Sequence, residues 1–96
     1  MIRLSELGCE TERVWVKVEG TLTRDTLPIL AQSLADQQQR GMREVLLMAD
    51  GVVSIDRLAL EAWLRETPPQ VEFCFVTSRV VLHQLLTSCG VRVVST

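Results

Sequence analysis

The chain has 96 residues, 47% hydrophobic but only 4% aromatic, which suits one domain, residues 1–96, with a small core of Val, Leu and Ile. Ten Lys and Arg stand against twelve Asp and Glu, for a formal charge of −2, and the two signs are interspersed along the chain. That balance argues against a cationic surface for nucleic acid or an anionic membrane.

The opening stretch "MIRLSELGCETE" lacks the continuous apolar region of a secretory signal, and no run approaches the roughly 20 apolar residues of a membrane span. A soluble, cytoplasmic protein without membrane insertion is expected. Cys9, Cys74 and Cys89 are odd in number and form no CxxC pair, so they read as buried or idle thiols in a reducing compartment and not as metal ligands.

The first periodic segment is "RVWVKVE", Arg13–Glu19, where Val14, Val16 and Val18 alternate with Trp15, Lys17 and Glu19. Period two with β-branched residues on one face predicts a half-buried strand, ended by Gly20. Trp15 lies on the face opposite the valines, where it packs against a neighbouring side chain or contributes to a homodimer contact.

Asp25 or Thr26 is placed to cap a helix whose first turn accepts Pro28, because the amide that proline lacks has no intrahelical partner there. Leu27, Leu30, Ala31 and Leu34 fall on one face of it, Ile29 falls off that face, and Gly41 follows as a stop. "REVLLMA" reads as a covered strand, followed by a short loop around "GVVS".

Asp56 then precedes a segment free of Pro and Gly, Arg57–Arg65, and its carboxylate suits the free amides and the dipole of a helix start. At about 100° per residue Leu60, Trp63 and Leu64 share a face, while Leu58 points away from them, beside Glu61, Ala62 and Arg65. Pro68-Pro69 breaks the helix, "VEFCFVT" (71–77) is a second covered strand, and Val80–Cys89 is a short amphipathic helix carrying Leu82, Leu85, Leu86 and Cys89 up to Gly90. "VRVVST" forms a last edge strand. Such alternation predicts an α/β domain with crossover connections and parallel strands.

Little here suggests catalysis. His83 is the only histidine, lies off the leucine stripe and has no second ligand or nucleophile at a useful spacing. The glycines form no phosphate-cradling motif, and Glu61 and Glu66 do not share a helix face. No catalytic residue, cofactor or metal is expected.

Three collinear segments carry a family resemblance: "GTLTRDTLPILAQSL" (20–34), "MADGVVSIDRLALEAWL" (48–64) and "SRVVLHQLLTSCGV" (78–91). Together they resemble STAS domains, the fold of bacterial anti-sigma factor antagonists, over about Val14 to Val94. The resemblance implies a mixed sheet of about four to five strands with helices mainly on one face. It also implies function by protein contact: in the family, a hydroxyl after an aspartate at the start of the second helix is phosphorylated by a partner serine kinase that is also an anti-sigma factor.

Asp56 matches that aspartate, but Arg57, Leu58 and Ala59 follow it, Leu58 standing at the usual acceptor position, and Met48 replaces an aspartate often found on the preceding strand. Leucine accepts no phosphate, so the expectation is an interaction module without the usual switch. Its partner interface would comprise Ser54, Asp56, Arg57, Leu58, Ala59, Glu61, Ala62 and Arg65. Ser54, the nearest hydroxyl, is a weak substitute acceptor and more readily a turn former. Two other readings stay open: an accessory subunit that binds the ATPase of a membrane lipid transporter, and a small-ligand-binding regulator.

Overall fold

The computed structural model describes all of residues 1–96. Its first element, β1 (Ile2–Glu10), falls where no strand is expected from the sequence. Its apolar residues are too few to show a period, so its conformation comes from pairing: β1 runs antiparallel to β2 (Arg13–Leu22) across a tight turn at Thr11 and Glu12. A bulge between Glu6 and Gly8 leaves Leu7 exposed on this edge.

β2 does not end at Gly20 but continues to Leu22, a correction with a steric reason. Gly20 has φ +103°, and a Cβ on it would collide with the carbonyl of Met1, so glycine here lets the strand pass close beneath the N-terminal residue. The Thr21 amide then donates to the Met1 carbonyl at 2.8 Å, pinning β1 to the far end of β2.

α1 (Leu27–Gln39) buries Leu27, Leu30 and Leu34, and leaves Ile29 in solvent as its spacing predicts. Thr26 is its N-cap residue but does not cap with its side chain: the hydroxyl donates to the Thr21 carbonyl and accepts from the Thr23 amide, both at 2.8 Å, and so ties the β2–α1 turn.

β3 (Glu44–Ile55) is longer than "REVLLMA". The expected loop around Val52–Ser54 is strand, because β2 extends alongside and offers partners to Thr21↔Ser54 and Leu22↔Ile55. The pairing is kept by two irregularities in β3, after Met48 and after Val52, which turn Val53 into solvent. α2 (Arg57–Glu66), β4 (Glu72–Thr77), α3 (Val80–Ser88) and β5 (Val93–Ser95) complete the chain.

The sheet order is β1-β2-β3-β4-β5, with β2 to β5 parallel. Each crossover steps to the next strand in the same direction, and right-handed connections that advance one way put every helix on the same face. Burial agrees: Val14, Val16 and Val18 of β2, Val45 and Leu47 of β3 and Phe75 of β4 form one core with Leu30, Leu60 and Leu86 from the three helices. Trp15, Leu46 and Met48, on the opposite side of the sheet, lie outside that core. No helix is long and apolar enough to cross a membrane.

Candidate functional site

Because β2, β3 and β4 are parallel, their carboxyl ends and the amino ends of α1, α2 and α3 gather at one edge of the domain. The loop-proximal side chains of a parallel sheet meet there, and ligands and partners of α/β folds commonly engage this edge.

At α2 the arrangement expected from the sequence is present. Asp56 is extended (φ −82°, ψ 102°), and its carboxylate accepts from the Ala59 amide at 3.1 Å, satisfying one of the free donors of the first turn. Leu60 and Trp63 are buried, whereas Leu58 is 78% exposed. Arg57 reaches Glu61 at 2.9 Å, one turn along, and that bond holds the guanidinium pKa above its usual value. Of the residues expected to form the interface, Ser54, Asp56, Arg57, Leu58 and Arg65 are exposed and Ala59, Glu61 and Ala62 partly so.

Leu58 does not stand alone. It lines one wall of a cleft of about 510 Å³, whose other wall is the start of α1, with Arg24, Leu27 and Pro28. Trp63 closes the floor of this cleft, and its buried indole N–H has no acceptor. Val53, at 73% exposure, and Val80 and Val81, at 69% and 77%, are solvent-facing at the same edge. These valines escape sequence reasoning, since Val53 sits inside an apolar run and Val80-Val81 at the start of an apolar helix.

A second cluster that the sequence does not announce holds this edge together. The Asp50 carboxylate accepts from the Thr77 hydroxyl at 2.6 Å, the Ser78 amide at 3.0 Å and the Ser78 hydroxyl at 3.1 Å. These bonds, that from Thr77 foremost, hold its pKa below the usual carboxylate value. Arg79 donates to the backbone carbonyls of Asp50 and Val52, and its own amide bonds the Thr77 hydroxyl. The irregular end of β3 is thereby fastened to the start of α3.

His83, off the leucine stripe of α3, is partly buried. Cys9 is exposed, while Cys74 and Cys89 are buried, and burial pushes both of the latter thiols up in pKa.

No family model matches the sequence, and no curated protein does. Among solved structures the chain is similar to the anti-sigma factor antagonist SpoIIAA in its unphosphorylated form, with a TM-score of 0.68 over 98% of this chain and 88% of that one, at 9% sequence identity. At that identity the likeness is one of architecture, and it agrees with the mixed sheet and one-sided helices described above. The chain has the STAS fold seen in that anti-sigma factor antagonist.

Proposed function

We propose that this protein is a non-catalytic interaction module of the anti-sigma factor antagonist type, which docks a cytoplasmic protein partner through the start of α2 and does so without a phosphorylation switch. The observation that supports this most is Leu58: a large apolar side chain, 78% exposed, on the first turn of α2, at the position where the family carries its acceptor hydroxyl.

A phosphate there would add about two negative charges and repel or reorder a docked surface. Leucine holds the position permanently neutral and supplies an apolar centre, with Arg57, Glu61 and Arg65 as a polar rim. The cleft beside it, floored by Trp63, gives a partner side chain a place to insert.

Pull-down of a purified serine-kinase-type anti-sigma factor from the same genome tests the reading. Leu58→Asp is expected to abolish capture and Leu58→Ala to weaken it, with the circular dichroism of both variants unchanged; undiminished capture by Leu58→Asp overturns the proposal. Intact mass after incubation with the kinase and ATP is expected to stay constant, and phosphate on Ser54 would refute the switch-free reading.

The same missing hydroxyl favours a second reading, constitutive association with the ATPase of a membrane lipid transporter. Capture of a transporter ATPase, but not of the anti-sigma factor, by the wild-type chain and its loss in Leu58→Asp select that reading.

A further inference from the structure

The three helices cover one face of the sheet, and the side chains on the other face form rows set by strand register. One row runs Trp15, Leu46, Cys74 and the next Lys17, Met48, Val76, Val94. Trp15, Leu46 and Met48 are partly exposed and Val94 is 40% exposed, with no helix on this side of the sheet, while Cys74 and Val76 in the same rows are buried, at 1% and 6%. Charged rows bound this apolar band. On one side Glu44 is held by Arg13 at 2.7 Å and faces Arg92 at 3.7 Å; on the other, Lys17 lies 3.7 Å from Glu19.

We infer that this open face is a self-association surface that joins two copies of the chain, sheet against sheet, about a two-fold axis. The charge pattern selects the occupant. A nucleic acid or an anionic membrane requires a face of one sign, whereas here cations and anions alternate around an apolar centre. An isologous contact requires a patch complementary to itself, and the register supplies one.

A two-fold axis parallel to the sheet and midway between the two copies, perpendicular to the strands and level with the gap between the two apolar rows, exchanges those rows between copies. Leu46 then meets Met48, and the Lys17 ammonium meets the Trp15 ring, a favourable cation–π arrangement. The outer rows exchange as well. Arg13 falls opposite Glu19 and, on β1, Glu10 falls opposite Arg3, so the same axis that stacks the apolar rows pairs opposite charges at both ends.

Five strands about 4.8 Å apart and side-chain levels about 6.8 Å apart outline a plane of roughly 400 Å² per copy. Roughly 800 Å² between two copies, before side-chain relief is counted, is below the roughly 1,200 Å² of stable interfaces and in the range of weak, transient ones. The dimer is therefore weak and must be sought over a range of concentration. This inference is independent of docking at α2, because Leu58 is not on the open face.

Sedimentation velocity of the full chain, from micromolar to near-millimolar concentration, reads the proposal directly. The expected result is a mass rising from 10.8 kDa toward twice that value as concentration increases. Met48→Glu, which sets a carboxylate at the centre of the face, and Lys17→Glu, an exposed change that cannot disturb the core, should each lower the association constant at least tenfold. Leu58→Asp should leave it unchanged. A wild-type chain that stays monomeric throughout overturns the inference, and so does a dimer that survives Lys17→Glu or is lost in Leu58→Asp.

Discussion

Removing the carboxylate of Asp50 tests the cluster that fastens β3 to α3. In Asp50→Ala three donors lose their acceptor at once, and their surroundings decide the cost. Ser78 is exposed, so water replaces the carboxylate at its amide and hydroxyl with little loss. Thr77 is only 1% exposed, and a buried hydroxyl without an acceptor costs about 1–3 kcal/mol. The expected destabilisation is about 2 kcal/mol, a fall of about 1 M in the urea midpoint for a slope near 2 kcal/mol/M.

Most of that cost falls on the buried Thr77 hydroxyl, so Thr77→Val, which removes the hydroxyl and keeps the shape, should offset it. Asp50→Ala with Thr77→Val is then expected to lose about 1 kcal/mol less than the sum of the single changes. Urea unfolding followed by far-UV circular dichroism gives all four corners of the cycle. Additivity within about 0.3 kcal/mol would refute the assignment.

The same carboxylate predicts a pH dependence. Its folded pKa lies below the reference value of 3.8, so the unfolded chain binds its proton first as pH falls. The stabilisation is complete well above pH 3.8 and drains away as pH drops through the folded value. The gap in stability between wild type and Asp50→Asn should therefore be flat near neutrality and narrow in acid.

Asp56→Ala removes the bond to the Ala59 amide and should cost about 1 kcal/mol, lowering Tm by roughly 4–8 °C, while Asp56→Asn keeps an acceptor oxygen and should retain most of it. Gly20→Ala forces both a left-handed backbone and a collision with Met1, so thermal unfolding should show a loss of more than about 2 kcal/mol, and hydrogen exchange should show β1 released first. Leu58→Asp, on an exposed site, should change stability by no more than about 0.5 kcal/mol, so a lost partner would report on contact and not on unfolding.

Residues whose environment is set by their near neighbours in the chain could be read before any coordinates. The valine alternation of β2, the leucine stripes of α1 and α3, the Asp56 cap and the outward turn of Leu58 follow from periods of two and 3.6 and from the free amides of a helix start. The resemblance that led to the STAS fold rests on the order of such local pieces. β1 lacks a local signal, and so does the run from Gly51 to Ile55, whose conformation depends on β2 lying beside it.

The composition and patterning of this chain settle its class, its strand–helix alternation and a first helical turn that points a leucine outward. Pairing between residues tens of positions apart settles the rest: the grip of Asp50 on Thr77 and Ser78, the valines brought to one edge with Leu58, and the bare side of the sheet with its rows of alternating charge. A side chain's period along the chain says which way it points, but whether anything lies over it depends on strand order and on the side from which each crossover returns.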